Sequence, residues 1–137
     1  MCRGAAEIQS RWNPLPGDFF FLSDDPEAAV RCHVTEGADA LRIQNGFLIA
    51  ATASGAVELK RVIWLPRLNQ LMEMARELPY TFREITFQFY KWAKIPYGDK
   101  RVIPEKYFHS LEQVWLAFVI AQVYGHVWNG DDWTRVY

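Results

Sequence analysis

The chain has 137 residues, of which half are hydrophobic and 15% are aromatic, and its 15 lysine and arginine residues nearly balance 16 acidic residues. This length suits one domain with a single core, and the high apolar content excludes an intrinsically disordered chain. The net charge of −1 provides no overall field that would attract nucleic acid or an anionic membrane, so any such binding has to be local.

The first residues carry little pattern. We expect residues 1–11 to form a flexible tail and residues 12–137 to form a single domain, with a turn in the proline- and glycine-containing segment before Asp18. The opening MCRGAAEIQS has no apolar segment of the secretory type, so secretion is not indicated. Cys2 and Cys32 could pair, but a reducing compartment favours two free thiols.

Short apolar stretches bounded by turn residues indicate strands in the first half. They are residues 19–22, 29–35, 41–44, 47–52 and 57–64. Asn45-Gly46 between the third and fourth stretches tolerates the positive φ angles of a two-residue turn, so these two stretches are predicted to form a hairpin. The first half therefore predicts a small antiparallel β-sheet.

From Pro66 onwards the apolar spacing becomes helical. In the first predicted helix Pro66 occupies the first turn, Pro79 marks the end, and one face carries Leu68, Leu71, Met72 and Ala75. The second helix begins at a capping box of Thr81 and Glu84 and runs to about Lys94. Its inward positions are Phe82, Ile85, Phe89, Trp92 and Ala93.

The third predicted helix has both of its ends marked in the sequence. Ser110 and Gln113 form a capping box, and Gly125 provides the left-handed stop. Apolar residues surround this helix nearly completely, which indicates burial. Residues 113–130 contain no Asp, Glu, Lys or Arg, but polar residues interrupt the end of this run, so a core helix is expected and not a membrane span. A turn at Asn129-Gly130 and a short strand close the chain.

These elements predict an α+β fold in which a small antiparallel β-sheet from the N-terminal half packs against three α-helices from the C-terminal half. The chain contains no phosphate-binding glycine loop, no nucleophile elbow and no zinc-protease motif. His33, His109 and His126 lack metal-site spacing, and a Cys32–histidine pair can be drawn in any chain of this composition. The acid pairs at residues 24–25 and 131–132 lie in turn-like sequence. We therefore expect no catalysis, no metal and no cofactor.

The strongest local charge feature is residues 91–107, where five basic residues meet only Asp99 and Glu105. Basic groups for phosphates and aromatic rings for bases are typical of single-strand binding. The candidate binding residues are Lys91, Lys94, Tyr97, Lys100, Arg101 and Lys106. The same pattern also describes an ordinary solvated loop, because Trp92 falls on the apolar face of the second helix. The two interpretations stay open here.

Large aromatic residues at the boundaries of elements have two interpretations as well. Trp12 follows Arg11, and Trp64 begins the junction Trp64-Leu65-Pro66-Arg67; both tryptophans are expected to seal the core, although they could stack under the basic groups. An exposed tryptophan would instead mark a partner surface, since interface centres are enriched in tryptophan, tyrosine and arginine.

Three segments carry a resemblance to a known family: RWNPLPGDFFF, VIWLPRLNQLMEM and SLEQVWLAFVIAQVYGHVWNGDDW. Together they resemble small uncharacterised phage and prophage proteins of Gram-positive bacteria. The matching positions are Trp12, Pro14, Gly17, Asp18, Trp64, Leu65, Pro66, Arg67, Gln70, Ser110, Glu112, Gln113, Trp115, Tyr124, Gly125, Val127 and Trp128. Residues 28–59 show no match. The resemblance implies a phage-borne protein in the cytoplasm of a bacterial host, and it supplies no catalytic residues.

The preferred hypothesis is a non-enzymatic accessory protein of a phage or prophage that acts by binding a protein partner, a second copy of itself included. Its basis is the absence of a catalytic motif together with the richness in aromatic residues. The alternative is a nucleic-acid-binding module that uses residues 91–107.

Overall fold

The computed structural model describes residues 1–15, 17–24, 33–34, 42–49, 56–94 and 108–135. The chain divides into two compact units, one formed by residues 2–66 and the other by Met1 with residues 67–137. We call them the N-terminal unit and the helical unit. Short antiparallel strands and separate helices confirm the predicted α+β class. The single domain expected over residues 12–137 stays a prediction.

Two small antiparallel sheets occupy the N-terminal unit. In the first, β1 (Phe19–Leu22) lies between β2 (His33–Val34) and β6 (Val62–Leu65). The second contains β3 (Arg42–Gln44), β4 (Phe47–Ile49) and β5 (Ala56–Glu58) in sequence order. The hairpin predicted at Asn45-Gly46 is confirmed, with φ angles of 52° and 78°. These left-handed angles are the ones that a two-residue turn requires.

The predicted strand over residues 57–64 is wrong in one respect, because the structure divides it. A 3-10 turn at Leu59–Arg61 separates β5 from β6. The two strands belong to different sheets, since β5 pairs with β4 and β6 pairs with β1. Alternating hydrophobicity indicates which face a side chain takes, but it carries no information on a change of pairing partner.

The N-terminal segment, for which a flexible tail was expected, contains regular structure that was not predicted. A 3-10 turn at Cys2–Gly4 precedes helix α1 (Ala6–Gln9), and Ala5 and Ile8 are fully buried. A helix of four residues is too short to display a 3.6-residue period in the sequence, which is why the pattern was missed.

The side-chain amide of Gln9 pairs with the free edge of β6. Its Oε1 accepts a hydrogen bond of 2.8 Å from Trp64 N, and its Nε2 donates one of 3.0 Å to Trp64 O. A further bond of 3.2 Å runs from Gln9 Nε2 to Cys2 O. Because an uncovered strand edge invites pairing with other chains, this amide protects β6 as a short strand would.

The helical unit contains the three predicted helices. They are α2 (Leu68–Ala75), α3 (Phe82–Lys94) and α4 (Leu111–Val119), and both α2 and α3 pack against α4. Leu71 and Ala75 are buried as predicted, but the third buried position of α2 is Met74, whereas Met72 is partly exposed. Pro66 precedes the N-cap residue Arg67 and so lies just before the first turn.

Side-chain caps define the beginnings of α3 and α4 as predicted. The Glu84 amide donates to Thr81 Oγ1 at 3.3 Å, and Glu84 Oε2 accepts from Thr81 N at 2.7 Å. The Gln113 amide donates to Ser110 Oγ at 3.2 Å. Gln113 Oε1 accepts a hydrogen bond of 2.6 Å from His109 N, the amide of the residue before Ser110. Each cap satisfies backbone donors that a helix beginning leaves without partners.

Helix α4 continues into a wider last turn. Ile120–Tyr124 form a π-helical turn, and the Gly125 amide donates to Ile120 O, five residues earlier. Gly125 adopts a φ of 70°, so the predicted left-handed stop is confirmed. The residues from Trp115 to Ile120 are all buried, which confirms the prediction of a core helix. Within the described residues, no helix is long and apolar enough to cross a membrane.

A hairpin of β7 (His126–Trp128) and β8 (Trp133–Arg135) closes the described chain. Asn129 Oδ1 accepts from the amides of Asp131 at 2.9 Å and Asp132 at 2.8 Å. Asp132 Oδ1 accepts from Trp133 N at 2.8 Å. The predicted turn role of this acid pair is therefore confirmed.

Candidate binding surface

Four aromatic side chains pack together between α3 and α4 in the helical unit. The Phe89 ring stacks on Trp115 with centroids 4.1 Å apart and planes 9° apart. Phe118 is fully buried and meets Phe89, Trp92 and Trp115 edge-on at 5.4 to 5.6 Å. Trp92 thus belongs to the inward face of α3. Trp92 is half-buried, and this contact reduces the ring surface available for stacking on a nucleobase.

The opposite face of α3 presents partly exposed aromatic rings. Phe87 is 60% exposed and Tyr90 is 55% exposed. Arg83 lies four residues before Phe87, and Lys91 lies four residues after it, so helical spacing places all of them on one side. We call Arg83, Phe87, Tyr90 and Lys91 the outer face of α3. The sequence interpretation followed the inward spacing and did not single out Phe87 and Tyr90.

Two cations and one acid lie on this side of α3, since Glu84 is three residues before Phe87 and seven before Lys91. Lys91 Nζ lies 5.4 Å from the centroid of the Phe87 ring, which is within cation–π range. Neither Arg83 nor Lys91 forms an ion pair with any residue in the described parts of the chain. Glu84 is the single acid of α3, and hydrogen bonds from the Thr81 amide and hydroxyl lower the pKa of its carboxyl group.

A cleft adjoins the beginning of α3. It encloses about 570 Å³, a size typical of ligand pockets. Its lining residues are Asn69, Met72, Glu73, Arg76, Tyr80, Thr81 and Phe82. Tyr80 and Phe82 are 44% and 58% exposed, so both present aromatic surface at the cleft, and the inward position predicted for Phe82 is wrong because the residue lies at the first position of α3. Arg76 Nη1 donates to both carboxylate oxygens of Glu73 at 3.0 and 3.2 Å, which neutralises the charge at this rim. We call this site the α2–α3 cleft.

The structure locates two of the six basic-loop candidates. Lys91 is exposed on the outer face of α3, and Lys94 is the last residue of that helix. Tyr97, Lys100, Arg101 and Lys106 lie outside the described residues, as does the rest of the loop up to residue 107. Whether the loop joins the exposed aromatic surface stays a prediction.

All six tryptophans lie within the described residues, and none is among the exposed large side chains. Trp12 stacks on Trp64 with centroids 6.1 Å apart, and both are buried, so the sealing role predicted for them is confirmed. The fully buried Asp18 accepts hydrogen bonds at Oδ2 from Trp12 Nε1 at 2.9 Å and from Leu15 N at 3.0 Å. The exposed aromatic surface is made by phenylalanine and tyrosine.

The N-terminal unit has a cleft of its own, of about 630 Å³, with an apolar wall that includes Trp12 and Phe47. Its polar lining groups already have partners. Gln9 bonds to the edge of β6, Ser10 Oγ donates to Glu7 O at 2.9 Å, and Lys60 pairs with Glu58 at 2.8 Å. Glu73, Arg76 and Thr81 of the α2–α3 cleft are paired as well. What distinguishes that cleft is the greater exposure of its aromatic rings, Tyr80 and Phe82, compared with Phe47 at 38%.

The residues considered for catalysis do not form a site within the described parts of the chain. Cys2 is a free thiol whose pKa is raised by burial, so less of it is in the reactive thiolate form. Asp24 pairs with Arg61 at 2.8 Å on the surface, and the hydrogen bond from Arg61 lowers the pKa of its carboxyl group. Among the described residues, no three His, Cys, Asp or Glu side chains come close enough to hold a metal ion. Cys32 lies outside them.

Comparison of the chain with protein-family models, with curated proteins and with solved structures finds no match. The family resemblance drawn from the sequence motifs accordingly stays a prediction.

Proposed function

We propose that this chain is a non-catalytic protein that acts by binding a protein partner. Its binding surface is the outer face of α3 together with the α2–α3 cleft. The observation that carries the proposal is the exposure of four large aromatic side chains, Tyr80, Phe82, Phe87 and Tyr90, along and just before one helix. Exposed aromatic residues grouped in this way are typical of interfaces.

The core of the helical unit supports this assignment, because its described residues pack without these side chains. Ile85 fills the inward side of α3 and is 1% exposed, while Phe89 and Trp92 pack on Trp115 and Phe118. Full burial of a large apolar side chain contributes roughly 1.5–3 kcal/mol, and Phe87 and Tyr90, which are 60% and 55% exposed, forgo part of that amount. A partner that covers them would recover this free energy.

The phage or prophage origin is part of the same proposal and rests on the sequence motifs. It places the protein in the cytoplasm of a bacterial host as an accessory factor. Several motif residues have structural tasks in this chain: Asp18 holds Trp12, and Ser110 with Gln113 begins α4. The motifs therefore support a fold shared with the phage proteins that the chain resembles. The binding surface is argued separately, from the exposure of aromatic side chains.

Site-specific photocrosslinking in a Gram-positive host tests the proposal. A benzophenone amino acid replaces Phe87 in one variant, and the exposed Gln122 in a matched control. We expect a discrete protein adduct from position 87, either with a host or phage protein or with a second copy of the chain, and no comparable adduct from position 122. Equal labelling at both positions, or no protein adduct at position 87, would contradict the proposal.

Nucleic-acid binding is the second candidate, and the basic character of the outer face favours it. Arg83 and Lys91 flank Phe87 and Tyr90, and Lys94 leads into the basic loop over residues 91–107. This candidate predicts binding to oligothymidine that weakens steeply with salt. Replacing Lys100 and Arg101 by alanine should reduce the slope of log affinity against log salt. Binding that does not change with salt rejects it.

A further inference from the structure

We infer that Asn45, at the tip of the hairpin of β3 and β4, is a site of spontaneous covalent modification, where the Gly46 amide nitrogen displaces ammonia from the asparagine side chain and leaves aspartate and isoaspartate. The site belongs to the N-terminal unit and is independent of the proposed binding surface. Three properties of the chain point to it: an accessible nucleophile, an unbound carboxamide and a second Asn-Gly pair whose carboxamide is held.

The reaction joins the backbone nitrogen of Gly46 to the side-chain carbonyl carbon of Asn45. A bond forms between Gly46 N and Asn45 Cγ, and the bond between Cγ and Nδ2 breaks. Nδ2 leaves as ammonia with the proton from the Gly46 amide, and a cyclic succinimide remains. Water then opens the ring at either carbonyl group, which gives aspartate or isoaspartate. Water is the only co-reactant, and asparagine is for this reason a thermolabile residue.

The nucleophilic nitrogen of Gly46 is accessible. Asn45 and Gly46 are both exposed, and a Cβ atom placed on Gly46 would meet nothing within 4 Å. Because glycine has no side chain, its nitrogen can approach the carboxamide with little hindrance. Among the described residues the Gly46 amide has no hydrogen-bond acceptor, whereas the Gly46 carbonyl oxygen accepts a bond of 2.7 Å from Leu59 N. The nucleophile therefore gives up no hydrogen bond when it reacts.

The side chain of Asn45 is free to turn towards that nitrogen, since it forms no hydrogen bond with any residue that the structure describes. The φ angles of 52° and 78° belong to the folded turn, which has to open locally before the ring can close. Strands β3 and β4 have three residues each, and Ile43 and Phe47 beside the turn are 39% and 38% exposed. Few buried contacts oppose the opening, so it requires little free energy.

Asn129-Gly130 is the other Asn-Gly pair of the chain and serves as an internal control. It also joins two strands of three residues, β7 and β8, and Asn129 is also exposed. Here, however, Asn129 Oδ1 accepts hydrogen bonds of 2.9 Å from Asp131 N and 2.8 Å from Asp132 N. Both bonds have to break before Asn129 Cγ can meet Gly130 N. Two hydrogen bonds of ordinary strength should slow the reaction roughly tenfold relative to Asn45.

The two products differ in their effect on the hairpin. Aspartate is compatible with the turn, because Asp-Gly suits the same left-handed positions as Asn-Gly. Isoaspartate adds one carbon atom to the main chain between the two residues, so it disturbs the pairing of Gln44 with Phe47 and the bond from Leu59 N to Gly46 O. Gly46 and Phe47 also line the cleft of the N-terminal unit. The modification therefore changes the charge and shape of that cleft.

Incubation of the folded, full-length chain in water enriched in heavy oxygen tests the inference. Each event replaces the amide nitrogen by an oxygen atom from the solvent, so the isotope marks the site in peptide mass spectrometry. Electron-transfer fragmentation distinguishes isoaspartate from aspartate. We expect label at position 45, with isoaspartate among the products, to accumulate roughly tenfold faster than at position 129. The rate at position 45 should rise with pH, because the Gly46 nitrogen has to lose its proton.

Two controls separate the effect of the fold from that of the sequence. In guanidinium chloride the hydrogen bonds to Asn129 Oδ1 are lost, so the two Asn-Gly pairs should react at similar rates. Asn45→Gly removes the carboxamide and keeps a dipeptide that suits the turn, so this variant should lose the label at position 45 and keep the rate at Asn129. Circular dichroism confirms that the variant is folded.

Three outcomes overturn the inference: equal rates at the two positions in the folded protein, a faster rate at position 129, or no label at position 45 under conditions that label the denatured chain. None of them affects the proposed binding function, because the crosslink from position 87 is measured independently.

Discussion

Helix α3 has two aromatic faces that differ in what covers them. On the inner face, Phe89 stacks on Trp115 at 4.1 Å, and Trp92 meets Phe118 edge-on. On the outer face, Phe87 carries the same side chain as Phe89 but is 60% exposed. The inner rings pack in the fold, whereas the exposure of Phe87 is the basis of the proposed binding role. Pairs of chemically identical residues, one engaged and one exposed, can therefore separate these roles.

The largest difference is expected between two phenylalanines of the helical unit. Phe118→Ala removes a fully buried ring that contacts three other aromatic side chains, and it should lower the free energy of unfolding by about 3–5 kcal/mol. Phe87→Ala should change it by less than about 0.5 kcal/mol. Urea denaturation followed by tryptophan fluorescence measures both values. Similar losses for the two variants would show that the outer face also supports the fold.

The second pair extends the comparison to carboxylates. Asp18→Ala removes the acceptor of the buried Trp12 Nε1 and of the partly buried Leu15 N, and we expect a loss of roughly 2–3 kcal/mol in the free energy of unfolding. Asp131→Ala, in the exposed hairpin turn, should cost less than about 0.5 kcal/mol. Asp18→Asn keeps an acceptor oxygen and should fall between these values. An Asp18→Ala variant as stable as the parent protein would disprove the anchoring role.

Two glutamines provide a smaller contrast. Gln9→Ala deletes three hydrogen bonds, of which two protect the edge of β6 at Trp64, and should destabilise the protein by about 1–2 kcal/mol. Gln122→Ala, an exposed position in the π-helical turn, is the control and should be nearly neutral. Light scattering near the unfolding midpoint adds a second readout, because an uncovered edge promotes association. Equal behaviour of the two variants would refute the edge-protecting role of Gln9.

The smallest effect concerns pH. Hydrogen bonds from the Thr81 amide and hydroxyl lower the pKa of Glu84 in the folded protein. The charged Glu84 side chain therefore contributes stability above its ordinary pKa of 4.5, and this contribution is lost as the pH falls through the lower pKa of the folded protein. The difference in unfolding free energy between the parent protein and Glu84→Gln should therefore shrink as the pH is lowered below 4.5. Glu112→Gln serves as the control. If this difference in unfolding free energy stays constant down to about pH 3, the charged Glu84 carboxylate does not stabilise the cap of α3.

Local signals explain which parts of the fold could be predicted. The caps at Thr81 and Ser110, the turn at Asn45-Gly46 and the stop at Gly125 each act within a few residues, so the sequence contains all of the interacting groups. The break at Leu59–Arg61 could not be predicted in this way. It follows from strand pairing with β4 and β1, partners that are distant in sequence.

The candidate surface was predicted only in part. Lys91 and Lys94 were identified from local charge, and both belong to α3. Phe87 and Tyr90 were missed because the inward pattern of Ile85 and Phe89 already accounted for the helix, and the remaining aromatic residues were not placed on the helical wheel. A helical wheel of the α3 positions that do not belong to the inward pattern places Arg83, Phe87 and Tyr90 on one side of the helix.

The π-helical turn at Ile120–Tyr124 has a consequence for chain length. Its bond from the Gly125 amide to Ile120 O spans five residues, so the turn holds one residue more than an α-helical turn would. A chain shortened by one residue at this turn could close the helix with ordinary spacing and keep Trp115 and Phe118 in their packed positions. A deletion within Leu111–Val119 would instead rotate part of the buried face by about 100°. Length variation among homologues is therefore expected at the end of α4 and not within it.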